Sequence, residues 1–342
     1  MGVVLVVNAG STSLKLSSVA SDGSAEQVES LDASPADIDA VAHRIVHGGL
    51  HFREPVVIDE NVERELDALT ELAPLHNGPA LIALEEARRT LPDVPHVAVF
   101  DTAFHATLPD EAATYAVPKR WRDEWHVRRY GFHGLSVQWA AEQVPVERLI
   151  VCHLGGGCSV SAVRDGRSVD TTMGFSPLEG VPMATRSGSV DPEIVLHLMR
   201  KRNLRLDDVE WALGHESGLL GLSGLTSRVD LLERSDSADA KLALSVWVHR
   251  VAGAVGAMVA SLGGIDALVF TAGIGENSVE MRARICARLG FLGVQLDDEA
   301  NRGAEPDAEI AAAGSAVRVV VLRAREDLVA ARAARSLLAS AP

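Results

Sequence analysis

The sequence predicts a two-domain α/β protein built twice on one plan, and three segments carry that prediction. The apolar run 3–7 reads as a buried strand that breaks into Asn8-Ala9-Gly10-Ser11-Thr12-Ser13 and closes on Lys15. Glycine allows tight backbone approach, so several N–H groups can converge on one anion, and the hydroxyls and the lysine add donors and charge. A second apolar strand ends in Gly155-Gly156-Gly157 and returns through Cys158-Ser159-Val160-Ser161. A third, Ala267-Leu268-Val269-Phe270-Thr271, runs into Ala272-Gly273-Ile274-Gly275-Glu276-Asn277 and then a helix over about 279–289. One glycine after a strand is an ordinary turn. Three such units predict a duplicated phosphate-binding architecture with a nucleotide between the halves. Neither the dinucleotide fingerprint nor the lysine-bearing P-loop appears with its full spacing.

Composition bounds the partners. A chain of 342 residues, 47% apolar, allows two domains with ample core. The net charge of −15 argues against nucleic acid or an anionic membrane as a partner, so an anionic substrate needs locally placed cations. Cys152, Cys158 and Cys286 offer neither a disulfide framework nor zinc spacing and read as reduced core residues. The N-terminal strand has no basic leader, so no signal peptide is expected and the expected location is cytoplasmic. The stretch 251–265 is too short and too small in side chain to span a bilayer. It reads as a buried helix, with Gly253 and Gly256 available for subunit contact.

Strands and helices alternate, which implies α/β layers. After the strand 3–7 come helices near 61–73 and 79–90, then the strand 96–100. A helix over 136–143 ends at Val144-Pro145, a candidate domain junction. The second half opens with the strand 148–151. Helices follow near 192–202, 206–213 and 238–262, then a strand over 317–322 and a final helix over about 326–339. The expected domains are 1–145 and 146–327, with the C-terminal helix, about 328–342, crossing back to the first. No short-period solenoid repeat is visible.

Outside the glycine turns lies a set of cations and histidines. His43-Arg44-Ile45-Val46-His47-Gly48-Gly49 places Arg44 at the end of a short apolar strand, and Leu75-His76-Asn77-Gly78-Pro79 puts His76 at a helix entry. Asp101 follows a strand end, His133 is flanked by Gly131, Phe132 and Gly134, and 174–180 with Thr185-Arg186-Ser187-Gly188 forms a loop holding a second arginine. Singly, such a histidine is usually structural, such an aspartate a cap, and such an arginine half of a weak surface ion pair. Together they sit at strand ends and glycine loops, where α/β sheets place their sites. The set suits phosphoryl transfer, which needs in-line positioning and charge neutralisation rather than covalent work by the protein. Arginine's fork fits phosphate and carboxylate alike. A carboxylate acceptor is ionised at neutral pH and needs no general base, and magnesium, with manganese as a substitute, needs only one or two protein carboxylates.

At this point the residues resemble the acetate kinase family of the actin-like ATPase superfamily, through almost the whole chain. The segments are Asn8 to Lys15, His43 to Gly49, Pro74-Leu75-His76-Asn77, Phe100-Asp101-Thr102-Ala103-Phe104-His105, Arg129-Tyr130-Gly131-Phe132-His133-Gly134, the 174–188 loop and Phe270 to Asn277, in the family's order. The resemblance implies a duplicated actin-like (ribonuclease H-like) fold, two domains around a nucleotide cleft, and reversible phosphoryl transfer from ATP to acetate or propionate. It implies that Asn8, Ser11, Ser13 and Lys15, with Gly155, Gly156, Gly157, Gly273, Ile274, Gly275 and Asn277, hold the nucleotide. Arg44 and Arg186 would clamp the acyl carboxylate and the transferring phosphoryl group, His133 would stabilise the transition state and His76 would support the site. Asp101 would orient an arginine and help bind magnesium. Asn8 and Glu326 would be the metal-linked residues, with Asp327 the alternative to Glu326. Val46, Leu75, Phe132 and Pro177 match the acyl-methyl pocket. One methylene there is worth only about 1–3 kcal/mol, so acetate and propionate are not told apart. A homodimer through the second domain is also implied.

The chain departs from the family at several places. Gly156 replaces an asparagine, Arg228 and Asp230 stand in reversed order in the adenosine loop, Arg325 replaces another asparagine, and the segment 16–42 is shortened. The donor side therefore matches less fully than the acyl side. That leaves open a donor other than ATP, such as pyrophosphate, or a catalytically silent ligand-binding relative.

Overall fold

The computed structural model describes residues 2–9, 14–33, 37–72 and 74–340, and the side chains of residues 71–76 lie outside the described set. The chain divides into two compact units: Met1–Ala106 with Tyr130–Trp139 and Arg325–Pro342, and Thr107–Arg129 with Ala140–Ala324.

The first unit holds Val3–Ala9 (β1), Leu14–Val19 (β2), Ala25–Val28 (β3), Ile38–Ile45 (β4), Val56–Val57 (β5) and His96–Phe100 (β6), in the sheet order β3-β2-β1-β4-β6-β5. The second holds Arg148–Leu154 (β7), Cys158–Arg164 (β8), Arg167–Thr171 (β9), Ala267–Thr271 (β10), Ala308–Glu309 (β11) and Arg318–Val321 (β12), in the order β9-β8-β7-β10-β12-β11. The second order is the first with every strand advanced by six. Directions repeat too: β1 runs antiparallel to β2 and parallel to β4, as β7 does to β8 and β10. The duplication read from the glycine turns is thus a duplication of sheet topology.

In the first unit the period-2 alternation of β1 builds both faces of the core. Leu5, Val7 and Ala9 pack with Leu66 and with Ala80, Ala83, Leu84 and Ala87 of the helix Pro74–Thr90. Val4 and Val6, with Ala40, Ala42, Val97 and Val99, pack against Val329, Ala330, Ala331 and Ala334 of the C-terminal helix Glu326–Ser340. Three alanines on that helix let it approach the sheet closely.

Several boundaries differ from expectation for local reasons. The first helix is Glu60–Ala68, because Asp59 caps it by accepting from the N–H groups of Asn61 and Val62, and it tightens into a 3-10 turn over Leu69–Leu72. The next helix begins at Pro74, leaving Pro79 inside it. In the second unit, Ser237 caps the helix Ala238–Leu262 and Gly263, at φ 70°, ends it. By length and composition this helix could cross a membrane. Its Trp247, Val248, Val251, Val255 and Met258 are buried within the protein, and it packs on β8 and on the helix Gly218–Ser223.

Candidate active site

Strand register assembles the first unit's polar cluster. Asn8 near the end of β1 lies beside Arg44 in the parallel β4, Arg44 lies beside Val99 of β6, and Asp101 is the first residue past β6. The Asp101 N–H donates to the carbonyl of Ile45 at 3.0 Å, which extends the ladder by one bond. Arg44 donates from Nε and Nη2 to the two Asp101 oxygens at 2.9 and 2.5 Å, a fork-to-fork pair. Its Nη1 donates to Asn8 Oδ1 at 3.0 Å and meets Glu326 Oε2 at 3.1 Å. Asn8 Nδ2 approaches the same Glu326 oxygen at 3.4 Å. Burial works against the charge on Arg44, but the carboxylates of Asp101 and Glu326 outweigh it and hold its pKa above the ordinary value. The guanidinium is therefore fixed in place and always charged.

Around this centre the backbone is held by buried polar groups. Asn77, fully buried, accepts from the His47 N–H at 3.0 Å and donates to the His47 carbonyl at 3.1 Å. His47 Nδ1 accepts from the Gly49 N–H at 2.9 Å, and Thr102 Oγ1 accepts from the Gly48 N–H at 3.1 Å. A Cβ on Gly48 would stand 2.5 Å from the carbonyl of Phe52, so the turn after Arg44 requires glycine there. His133 is buried with φ at 60°, a left-handed conformation that a non-glycine residue adopts at a cost of about 1–3 kcal/mol. It is followed by Gly134, whose N–H donates to the Asp101 carbonyl at 2.9 Å and whose missing side chain makes room for that carbonyl. The residue that pairs with Arg44 thus also seats the start of the helix Gly134–Gln143 behind His133. Val46 and Phe132 are buried in the same unit, and the Phe132 carbonyl accepts from His105 Nε2 at 2.9 Å. Burial pushes His105 down to about 4, so it stays a neutral donor at neutral pH.

The second unit brings two of the glycine turns together. A Cβ on Gly155 would lie 3.4 Å from Ala272 Cβ and 3.7 Å from the Gly273 nitrogen, while Gly156 and Gly273 face open space. Ala272 has φ at 65°, and its N–H donates to Glu276 Oε1 at 3.0 Å, which holds the third turn in shape. Asn277 Nδ2 donates to the Gly273 carbonyl at 2.8 Å. The loop bearing Arg186 joins the second turn through the Ala184 N–H, which donates to the Gly156 carbonyl at 3.2 Å. Arg186 Nη1 reaches the carbonyl of the buried Pro177 at 3.4 Å, and burial pulls its pKa below the ordinary guanidinium value. A ready anion would relieve that desolvation. Cys158 donates its thiol to the Gly155 carbonyl at 3.3 Å, and burial pushes its pKa up to about 12, so it is inert.

Of the sequence-predicted residues, Arg44, Asp101, Asn8 and Glu326 form one cluster, and Gly155 lies against Ala272 and Gly273 of the third turn. Lys15 lies exposed on β2, in register with Asn8. Arg228 and Asp230 pair with each other at the surface through bonds of 3.1 and 2.7 Å, at the start of the helix Val229–Glu233. Ser11 and Ser13 lie outside the described residues, as do the side chains of Leu75 and His76. Asn77 stands in the 75–79 segment without a role that the sequence assigns to it. Its place beside His76 was the only signal, since nothing local showed that it would grip a strand end thirty residues away. Glu276 was missed in the same way. Among the described residues no three His, Cys, Asp or Glu side chains gather as a metal site.

Comparisons with known proteins bear on the family and the fold. A family model described as the acetokinase family matches residues 25–332. An acetate kinase from Gloeobacter violaceus (strain ATCC 29082 / PCC 7421) is 48% identical over 312 residues, spanning 88% of this chain and 77% of that protein. An acetate kinase from Clavibacter michiganensis subsp. michiganensis (strain NCPPB 382) is 47% identical over 331 residues, spanning 94% and 83%. The solved propionate kinase from Francisella tularensis subsp. tularensis SCHU S4 superposes with a TM-score of 0.88 at 32% identity, over 97% of this chain and 99% of that one. Porphyromonas gingivalis acetate kinase gives 0.87 at 31% identity, over 99% and 100%. The architecture is the α/β fold of these kinases, the duplicated actin-like plan.

Proposed function

This chain belongs to the acetokinase family and is a phosphotransferase with a carboxyl group as acceptor, and from that premise we propose that Arg44, His133 and Arg186 act on one phosphoryl group in transit. The protein is a short-chain acyl-carboxylate kinase that moves a phosphoryl group reversibly between ATP and acetate or propionate. A carboxylate oxygen attacks the γ-phosphorus, the bond from that phosphorus to the bridging oxygen breaks, and ADP and acyl phosphate form. The acceptor is already ionised, so no residue has to take its proton.

The observation that carries the site assignment is the Arg44 cluster. Three of its five N–H groups donate to Asp101 and Asn8, and Glu326 adds an ion pair, which holds the guanidinium in one pose and leaves an Nη2 hydrogen for the equatorial oxygens. Arg186, drawn below its ordinary pKa by burial, would supply the second cation. His133, held in its strained backbone pose, would donate to the same charge as it develops. Val46, Phe132 and Pro177, with Leu75, would enclose the acyl methyl. Lys15, Ser11, Ser13, the Gly155 to Gly157 turn and the Gly273 to Asn277 turn would hold the nucleotide, with Arg228 and Asp230 at its adenosine end.

Magnesium, or manganese, would be held by the Glu326 carboxylate and by the Asn8 carboxamide oxygen, which here accepts from Arg44. When bound it would neutralise nucleotide phosphate charge. A cytoplasmic homodimer completes the reading. Gly253 and Gly256 on the helix Ala238–Leu262 leave open space where side chains would stand, which supports close subunit contact there.

Trapping acyl phosphate with hydroxylamine in the presence of acetate, ATP and Mg²⁺ tests the activity, with pyrophosphate as the competing donor. A clear ATP-dependent signal is expected, and Arg44→Ala should lower kcat by about 10²–10³. Turnover of Arg44→Ala at the wild-type rate removes Arg44 from the mechanism. Absence of product with every donor and every small carboxylate removes the activity.

A further inference from the structure

Tyr115, Arg129 and Glu179 have no role in the account above, yet the second unit folds the segment 174–180 around them. Arg129 Nη1 donates to the carbonyls of Thr171, Thr172 and Met173, each at 3.0 Å, and Nη2 donates to Glu179 Oε1 at 3.0 Å. The guanidinium lies over the Tyr115 ring, 5.4 Å from its centroid. The Tyr115 hydroxyl donates to Glu179 Oε2 and accepts from the Phe175 N–H at 2.9 Å. Each Glu179 oxygen therefore has its own partner, and the tyrosine passes the constraint to the backbone of Phe175. Gly174 fits beneath because a Cβ there would run into the Glu179 carboxylate and the Tyr115 hydroxyl.

Both ends of the segment are pinned: Met173 and Phe175 at the start, Glu179 at the close. Between them sits Pro177, buried, with its carbonyl facing Arg186 Nη1. A surface ion pair would not need this. An arginine that bridges three successive carbonyls to a carboxylate fixes a position, because the planar fork allows few other arrangements.

We propose that Arg129, Tyr115 and Glu179 are positioning residues that set the pose of the segment 174–180, and through Pro177 the length of carboxylate the site accepts. This deepens the acyl-kinase reading and rests on it. A small shift of one pocket wall matters because a single methylene changes discrimination by about 10- to 200-fold.

Two variants test it. Tyr115→Phe keeps the ring beneath Arg129 and deletes only the hydroxyl, and Arg129→Lys keeps the charge but not the fork. The measurements are kcat and KM for acetate, propionate and butyrate, KM for ATP, the thermal midpoint, and amide hydrogen exchange at Phe175. In both variants the kcat/KM ratio should move toward the longer acids by about five- to twentyfold. KM for ATP should change by less than about twofold, and the Phe175 amide should exchange about tenfold faster or more. Folded variants with an unchanged acid preference overturn the proposal. So does an equal loss for every carboxylate and for ATP, the pattern of a merely structural role. If the wild-type chain forms no acyl phosphate, the acyl-kinase reading fails and the specificity role goes with it. The clamp itself then stands or falls on Phe175 exchange in Tyr115→Phe.

Discussion

At the scale of single residues, the first unit holds Arg44 charged while burial disfavours the charged forms of His43, His96 and His105. Arg44 can stay charged because Asp101 and Glu326 lie against it. For His105, His43 and His96 burial is the largest effect and drives all three below the ordinary value, although the Phe132 carbonyl and Asp101 favour the charged form of His105 and the Leu91 carbonyl that of His96. His43 Nε2 lies 2.9 Å from His96 Nδ1, and His96 Nε2 donates to the Leu91 carbonyl at 3.0 Å, so His43 donates to His96 when both are neutral. The pH dependence follows from the sign of the shift. His105 titrates at about 4 folded against about 6.5 unfolded, so between those values only the unfolded chain binds the proton. Stability then falls as pH drops through that window and levels off below it. The His105 contribution is about 3 kcal/mol in all, with His43 and His96 acting in the same direction. Urea unfolding at pH 7 and pH 5 should show the loss, and His105→Gln, which keeps an N–H for the Phe132 carbonyl, should show a shallower one. A variant slope as steep as the wild-type slope would clear His105 of the effect.

At the scale of elements, the long-range grip of Asn77 on His47 decides where the chain turns after β4. The amide replaces a short stretch of β-ladder by satisfying one N–H and one C=O of a buried backbone unit. Asn77→Leu keeps the volume and removes both hydrogen bonds to the buried His47 backbone, which should destabilise the protein by about 2–6 kcal/mol. Thermal or urea unfolding reads this directly, and a change below about 0.5 kcal/mol would mean the turn holds without the amide. The same scale shows what the sequence could and could not reveal. Helices with strong stops were legible: the capped Ala238–Leu262 and Pro192–Arg202, with Asp191 before it and Asn203 in the left-handed conformation after it, match their expected ranges. The strands β2, β3 and β9 were not, because half-exposed runs such as Leu14-Lys15-Leu16-Ser17-Ser18-Val19 carry little hydrophobic alternation. Their identity comes from pairing with a buried neighbour, which local pattern does not contain. The Tyr115, Arg129 and Glu179 ring was hidden for a similar reason: its members are up to 64 positions apart.

At the scale of the whole molecule, the repeat of strand order was legible from three glycine turns, but the interruption of the second unit was not. The segment Thr107–Arg129 belongs with the second unit although it lies before residue 145, where sequence composition suggested a junction. It is held there by contacts such as the Thr107 hydroxyl donating to the Ser168 carbonyl at 2.8 Å and the Arg129 bonds to the end of β9. The first unit, in turn, is completed only by the last helix of the chain. Val4, Val6, Ala40, Ala42, Val97 and Val99 have their cover in Val329, Ala330, Ala331 and Ala334. Each valine returned to water costs about 1.5–3 kcal/mol, so uncovering four of them approaches the roughly 5–15 kcal/mol that a domain has in total. A chain ending at Ala324 should therefore keep a folded second unit and lose the first. Limited trypsin digestion checks this: in the shortened chain, cleavage at Arg53, Arg64 and Arg88 should become rapid while the stretch 140–324 stays resistant. Equal resistance of both units would show that the sheet holds without its helix.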